Sequence, residues 1–247
     1  ACGDTGAGKM PEPETLLNYI LRECACEKDM KGLKVLVTAG PTQEAIDPVR
    51  YITNHSSGKM GYAIAKMAML RGADVTLVSG RTALTPPPFV RVVPVVTARD
   101  MYEAVTSVSQ EQDIIIKAAA VADYRPASVS DEKIKKKDDD MSIALERTDD
   151  ILKYLGEHKP DGQFLCGFSM ETENMIGNSR VKLTRKNLDM VAANNVKMAG
   201  AGFQGDTNVL TLITQDEEVS LPLMSKEDAA NVILDKILSI QKEREEQ

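Results

Sequence analysis

The stretch KVLVTAG, residues 34–40, is a nearly continuous apolar run that ends in glycine. Such a run is typical of a parallel strand buried on both faces. A polar loop follows, and then a helix is predicted from about Gly58 to Arg71, with Gly72 as its C-terminal stop. The sequence therefore predicts a strand–loop–helix unit, the first unit of an α/β fold.

The rest of the chain repeats this alternation of strands and helices. Strands are predicted at 74–80, 90–96, 113–120, 163–169 and 188–194, and helices at 98–109, 150–158 and 173–185. Runs at 208–214 and 217–222 flank a short polar turn and predict a β-hairpin. Ser225, with Asp228 three residues later, predicts the start of the last helix. Its apolar stripe, predicted to face the sheet, is Ala229, Val232, Ile233, Ile237 and Ile240. The pattern predicts a doubly wound, Rossmann-like parallel sheet with an added β-hairpin.

Composition narrows the class of protein. The 247 residues suffice for one sizeable α/β domain with an appendage. A net charge of -7 argues against general nucleic-acid binding, which needs a cationic face. No apolar run approaches the roughly 20 residues of a membrane span. Four cysteines without CxxC pairing and only two histidines argue against a structural zinc site. We therefore expect a cytoplasmic, reduced protein without nucleic-acid or membrane partners.

The first residues imitate a phosphate-binding loop. GDTGAGKM, residues 3–10, fits the first seven positions of the GxxxxGK[ST] pattern. Met10 stands where a magnesium-binding hydroxyl is needed, and no buried strand precedes the segment, so the pattern does not predict a working P-loop. The missing initial methionine suggests a piece of a longer chain.

Ligands of doubly wound sheets bind beyond the carboxyl ends of the strands. Three polar loops are predicted at that edge, at 40–58, 119–140 and 168–173, and we expect them to form one shared site. In ITNHSSGKMG, residues 52–61, Asn54 supplies an amide donor, and Ser57 lies where free helix N–H groups attract anions. Helix capping by Ser57 is the simpler alternative and is compatible with binding.

The second of these loops concentrates charge. Three small residues, 118–120, allow close approach of a flat ligand, and Asp123 is placed to meet a ribose or a metal ion. Lys133 and Lys135–Lys137 form a cationic run in an acidic protein. The run is interpreted either as a solvated face or as a flap over a polyphosphate.

Four ordered segments carry a resemblance to a known family. These segments, TAGPTQEAIDPVRYITNHSSGKMG, AAAVADYR, EKIKKK and RKNLDMVAANNV, resemble bacterial phosphopantothenate–cysteine ligase, the synthetase half of a bifunctional coenzyme A biosynthesis protein. The likeness covers residues 33–247. Residues 1–32 resemble the C-terminal remnant of a phosphopantothenoylcysteine decarboxylase domain plus a linker, with Cys2 as the cysteine of its ACGD motif.

The resemblance implies a CTP-dependent ligation of 4'-phosphopantothenate with L-cysteine through an acyl-cytidylate, assisted by Mg²⁺. It places FMN only in the missing decarboxylase half of the full-length chain, and it implies a homodimer.

The resemblance also implies residue roles. Asn54 and Lys133 match catalytic residues, with Lys133 also on the nucleotide. Substrate-binding positions are Arg50, Asn54 and Ala120. The remaining nucleotide-binding positions are Lys117, Ala118, Ala119, Asp123, Asp149, Asp150, Ile151, Leu152, Phe168, Lys182 and Lys186. The metal ligands are not identified by the sequence.

Two other classes remain open from the residues. Arg81 after the second strand, together with the Tyr62-x-x-x-Lys66 spacing, allows an NADP-dependent reductase. No GxGxxG follows the first strand, which counts against it. A nucleotide sensor without catalysis is the third possibility.

Overall fold

The computed structural model describes residues 8, 10–136, 140–171, 173–195 and 205–246. Its centre is an eight-stranded sheet in the order β13-β12-β10-β9-β6-β1-β4-β5. The strands are β1 (Lys34–Ala39), β4 (Asp74–Ser79), β5 (Arg91–Pro94), β6 (Ile114–Lys117), β9 (Phe164–Glu171), β10 (Met190–Asn195), β12 (Leu210–Ile213) and β13 (Glu218–Ser220).

The strand order is that of a doubly wound sheet. Neighbouring strands are parallel in the part of the sheet formed by β5, β4, β1, β6, β9 and β10. Strand β12 pairs antiparallel with β10, and β13 pairs antiparallel with β12. The predicted Rossmann-like sheet with an added hairpin is therefore confirmed. The order reverses between β1 and β6, which is the place where such sheets bind ligands.

Short strand pairs stand outside this sheet. They are β2 (Gln43–Ala45) with β3 (Tyr51–Thr53), β7 (Tyr124–Pro126) with β8 (Leu145–Arg147), and β11 (Thr207–Asn208) with β14 (Met224–Ser225). All three pairs are antiparallel. Only β2, β3 and β7 lie in segments predicted as loops, and two or three residues are too few to show an alternating pattern.

Helices cover both faces of the sheet. They are α1 (Pro13–Cys24), α2 (Lys59–Leu70), α3 (Ala98–Thr106), α4 (Ile151–Glu157), α5 (Met175–Arg185) and α6 (Lys226–Glu245). One core layer packs α2 and α6 on the sheet, and a second packs α3, α4 and α5 on the other face. Ser225 caps α6 as predicted, since its hydroxyl accepts the Asp228 N–H at 3.0 Å. None of the helices in the described ranges is both long and apolar enough to cross a membrane.

Candidate functional site

Two loops meet where the strand order reverses. The Ala120 N–H donates to the Gly40 carbonyl at 3.0 Å, and the Thr42 N–H donates back to the Ala120 carbonyl at 3.3 Å. The Asn54 side-chain amide donates to the same Ala120 carbonyl at 3.0 Å. The loop after β1 and the loop after β6 are thereby held side by side.

Two buried threonines fix the second loop from below. The Thr38 hydroxyl accepts the Ala119 N–H at 3.1 Å, and the Thr42 hydroxyl accepts the Ala122 N–H at 2.9 Å. Both side chains are fully buried, so these bonds satisfy backbone groups that water does not reach. The loop after β6 therefore has a defined shape.

Three glycines bring α2 close to β1. Gly40 and Gly58 have φ of 74° and 81°, in the left-handed region that favours glycine. A Cβ on Gly61 would lie 2.6 Å from the Cβ of Ala39, so the helix and strand are in backbone contact there. Gly40, Gly58 and Gly61 occupy the places of the three glycines of a GxGxxG fingerprint, with residues 41–57 inserted between the first two. The insertion separates the first two glycines in the sequence, so the fingerprint could not be predicted from their spacing.

A cationic cavity of about 420 Å³ opens beside β6. It is bounded by the loop after β6, the start of α4, the end of β9 and one face of α5. Its lining is Lys117, Ala119, Val121, Ala122, Asp123, Tyr124, Arg147, Thr148, Asp149, Asp150, Ile151, Leu152, Phe168, Lys182 and Lys186.

Three lysines converge on this cavity. Lys186 pairs with the Asp150 carboxylate at 2.9 Å, and Lys182 donates to the Phe168 carbonyl at 2.6 Å. Lys117 is only 7% exposed, and its ammonium nitrogen lies 3.8 Å from the Met101 sulfur. Burial and the nearby Lys182 lower the pKa of Lys117 to about 7. The cluster has an excess of positive charge that suits an anionic ligand.

The acidic wall of this cavity is also held in place. Burial alone would raise the pKa of Asp150, but its bonds with Lys186 and with the Lys153 N–H lower it, so the carboxylate stays ionised. Thr148 donates from its hydroxyl to the Ala122 carbonyl at 2.6 Å. Residues 147–150 are thus tied to the loop after β6 and complete the cavity.

A second cavity of about 420 Å³ adjoins the first at the N-terminus of α2. The two cavities share the side chains of Ala119, Val121, Asp123, Phe168 and Lys182. The second cavity also takes Asn54, Ser56, Ser57, Gly58, Lys59, Met60, Gly61, Ala118, Ala120, Ser169, Met170, Asn194, Asn208 and Lys226. Asn54 and Asp123, from two separate loops, and Phe168, from β9, therefore line one space.

Most of the predicted site residues line these cavities. The cationic cavity is lined by Lys117, Ala119, Asp123, Asp149, Asp150, Ile151, Leu152, Phe168, Lys182 and Lys186. The adjoining cavity is lined by Asn54, Ala118 and Ala120 as well. Cys2 lies outside the described residues.

Arg50 and Lys133 do not belong to this set. The Arg50 guanidinium bonds the Asp47 carboxylate at 2.5 Å and the Ile134 carbonyl at 2.6 Å. The Ile134 N–H in turn donates to Asp47 at 3.1 Å. Lys133 is exposed on this anchored loop and lines neither cavity. Arg50 is engaged in holding the loop, and the roles predicted for Arg50 and Lys133 at the ligands stay predictions.

The sequence analysis missed several lining residues. Asn194 lies near the end of β10, Asn208 ends β11, and Lys226 opens α6. Asn194 could have been found, because it ends a predicted buried strand at the ligand-binding edge. Lys226 and Asn208 come from segments distant in sequence and carry no local signal.

The reductase alternative finds no support in the geometry. The Tyr62 hydroxyl lies 3.1 Å from the Ser79 hydroxyl and accepts from Thr82 at 3.2 Å. The Lys66 ammonium pairs with Glu227 at 2.6 Å. Tyr62 is buried in structural contacts, so the pair does not present a proton donor to either cavity described above.

Comparison with known proteins defines the family. Residues 30–240 match the family model DFP, described as the DNA/pantothenate metabolism flavoprotein C-terminal domain. The chain therefore belongs to the DFP family.

Among curated relatives, the Bacillus subtilis coenzyme A biosynthesis bifunctional protein CoaBC is 47% identical over 98% of this chain. The Escherichia coli K12 protein of the same name is 46% identical over 97% of it. The chain spans 61% and 60% of the length of these two relatives.

Two solved structures are also similar. The C-terminal domain of a CoaBC protein has 46% identity and a TM-score of 0.73, covering 88% of this chain and 98% of that one. A DNA/pantothenate metabolism flavoprotein from Streptococcus pneumoniae has 25% identity and a TM-score of 0.74, covering 85% of this chain and 100% of that one.

These findings correct the resemblance drawn from the sequence. The matched family is described as a flavoprotein domain and not as a ligase, and the descriptions of these relatives name neither CTP nor Mg²⁺. The identification as a phosphopantothenate–cysteine ligase, with its CTP-dependent ligation and Mg²⁺, is therefore not retained. The assignment of FMN only to a missing half is corrected too, because the flavoprotein description falls on residues 30–240.

The cavities meet the needs of a flavin mononucleotide only in part. The lysine cluster suits the phosphate of such a cofactor. Phe168 and Tyr124 are the aromatic side chains among the described residues that line the cationic cavity. Three other lining residues, Asp123, Asp149 and Asp150, carry carboxylates. The residues thus fit a phosphorylated nucleotide in general, and no described feature is specific to a three-ring flavin.

Proposed function

We propose that this domain holds two phosphorylated small molecules side by side at the switch point of its sheet. The cationic cavity takes the phosphate of a nucleotide-type ligand. The adjoining cavity takes a phosphorylated pantothenate derivative, in a step of coenzyme A biosynthesis. The observation that carries this proposal is the convergence of Lys117, Lys182 and Lys186 on one cavity that adjoins a second polar cavity.

Charge supports the assignment of the first ligand. Two of the three lysines have lowered pKa values, chiefly through burial, so their ammonium groups are poorly solvated when the cavity is empty. A phosphate replaces the missing solvation with charge-assisted hydrogen bonds. Asp123, exposed at the boundary of both cavities, is positioned to accept from a ribose hydroxyl.

The second ligand is supported by the start of α2. Ser56, Ser57 and Gly58 precede a helix of 12 residues whose free N–H groups favour anions. The names of the relatives supply the chemical class, since they concern coenzyme A and pantothenate metabolism. L-Cysteine, a cytoplasmic location and the domain boundary at residue 33 stay predictions.

The test is a calorimetric panel on the purified chain. FMN and the ribonucleoside mono- and triphosphates are titrated separately, each with and without phosphopantothenate. We expect at least one nucleotide to bind, and Lys186→Met to weaken it about tenfold or more, as loss of a charged hydrogen bond does. Lys153→Met, at an exposed position of α4, is the matched control. Absence of binding by the whole panel would overturn the proposal, and the identity of the nucleotide that binds names the cofactor class.

We also propose a homodimer that forms through the small strand pairs. Apolar side chains stand exposed on and beside β2–β3 and β7–β8, at Val49, Tyr51, Val129 and Leu145. Such a concentration is typical of an interface. Sedimentation should show a dimer that Val49→Lys weakens and Val181→Lys, at an exposed position of α5, does not. A wild-type monomer at all concentrations would contradict this.

A further inference from the structure

We propose that Lys117 gives up its proton readily in the empty cavity and is held as an ammonium when an anion binds, so that binding takes up a proton from solvent. The inference deepens the proposed function and rests on it in one respect, since both place an anion in the same cavity. It makes Lys117 a residue that selects for charge on the ligand.

The position of Lys117 carries this inference. Its side chain is more than nine-tenths buried and lies along the floor of the cationic cavity. Its ammonium nitrogen is 3.8 Å from the thioether sulfur of Met101, which is a weak acceptor. Among the described residues, no carboxylate oxygen lies within 4.0 Å of it. A buried ammonium without an ionic partner is costly, and the group avoids that cost by losing its proton.

The elements packed around Lys117 leave its positive charge without an ionic partner. Helix α5 presents the ammonium groups of Lys182 and Lys186, and both disfavour a third positive charge. Asp150, at the start of α4, favours that charge but is already paired with Lys186. The register neighbours of Lys117 on β1 and β9 are Thr38 and Gly167, which carry no charge.

The remaining cavity wall carries groups of both signs. The titratable and charged side chains there are Asp123, Tyr124, Arg147 and Asp149, none of which pairs with Lys117. Burial and Lys182 hold the pKa of Lys117 near 7, in agreement with the geometry. A phosphate placed among the three lysines supplies the anion that Lys117 lacks, and the amine then gains a proton.

The consequence is a preference for highly charged ligands. The ammonium groups of Lys182 and Lys186 already neutralise a monoanion, so a monoanion does little to favour protonation of Lys117. A dianion or polyphosphate favours the third charge. Above the midpoint of Lys117, anion affinity is expected to fall by up to tenfold for each rise of one pH unit, because a proton must be taken up.

The experiment follows the lysine side chains by NMR during pH titration of the whole chain, first alone and then in sulfate. Sulfate is the probe because it does not titrate in this range. We expect one lysine resonance, absent in Lys117→Met, to titrate with a midpoint near pH 7. In sulfate this midpoint should rise by at least one pH unit. Lys117→Gln gives the same assignment should Lys117→Met fold poorly, and Lys186→Met should keep the resonance.

Two outcomes would overturn the inference. One is that every lysine of the free protein titrates above about pH 10. The other is that the titration midpoint of Lys117 is the same with and without sulfate. Should sulfate shift the midpoint while no nucleotide of the panel binds, the proposed function fails and the inference stands. Should nucleotides bind while the midpoint stays fixed, the inference alone fails.

Discussion

The side-chain amide of Asn54 donates to the backbone carbonyl of Ala120 at 3.0 Å, joining the loop after the first strand to the loop after β6. The two residues are 66 positions apart in the chain and both line the cavity at the start of α2. Their contact fixes part of the wall of this cavity. Asn54 therefore has a structural role in addition to the binding role that we propose for it.

Replacing Asn54 separates those roles. Asn54→Ala should weaken phosphopantothenate binding about tenfold, the worth of one well-placed hydrogen bond of about 1.4 kcal/mol. Nucleotide binding in the cationic cavity should change less than threefold, because Asn54 does not line it. Calorimetry with each ligand measures both effects. Equal loss for both ligands would show that the substitution deforms the whole site.

Gly58, at the start of α2, is expected to be costly to replace in terms of the free energy of unfolding. Gly58→Ala places a methyl group 2.7 Å from the Thr82 methyl at a positive φ, and it should lower the free energy of unfolding by roughly 2–4 kcal/mol. Gly162→Ala is the matched control, with φ of 80° and nothing within 4 Å, and should cost about 1–2 kcal/mol.

A double variant tests the cause of the Gly58 effect. Gly58→Ala with Thr82→Ser removes the methyl group that clashes, so part of the loss should be recovered in chemical unfolding. Strict additivity of the two substitutions would assign the loss to the backbone alone.

Lys117 should make stability depend on pH. Its pKa is near 7 in the folded chain and near 10.5 when exposed, so the unfolded chain binds more protons between these values. The wild type therefore loses stability as pH falls from about 10 to about 7, by up to about 1.4 kcal/mol per unit. Lys117→Met lacks this loss, so its advantage over the wild type should grow down to about pH 7 and then level off. A constant difference in urea unfolding across this range would contradict a buried neutral amine.

Asp47 should control the anchoring of the loop that carries Lys133. Burial alone would raise the pKa of Asp47, but bonds from Arg50, Val49 and Ile134 lower it well below its usual range. The anchor is therefore present at neutral pH and is lost only in strong acid, as pH falls through that lowered value. Asp47→Asn should speed tryptic cleavage after Lys133 several-fold, while Asp131→Asn, exposed on the same loop, should not. Equal cleavage rates in both variants would remove Asp47 from this role.

The fold could be predicted from the sequence because it rests on long, periodic segments. The run at 34–40 and the parallel strands β4, β6, β9 and β10 are largely buried, and that burial is visible as apolar sequence. The short pairs β2–β3 and β7–β8 were not predicted. They are stabilised by contacts between distant segments, such as the Ser130 N–H with the Ile46 carbonyl at 3.0 Å, which leave no local pattern.

Lys117, Lys182 and Lys186 were predicted as site residues only through the family resemblance. Their positions are compatible with that prediction, because Lys117 ends a strand and Lys182 and Lys186 are four residues apart. Arg50 illustrates the opposite case, because a loop arginine serves equally well as a ligand contact or as an ionic anchor. Only the position of Asp47 decides between these roles.

The central claim is tested most directly by a crystal structure of the chain with a bound nucleotide from the panel and with phosphopantothenate. The account predicts phosphate oxygens about 2.7–3.2 Å from the ammonium groups of Lys182 and Lys186. It also predicts a second phosphate at the N–H groups that open α2. Both ligands found away from these two cavities, with the three lysines contacting neither, would contradict it.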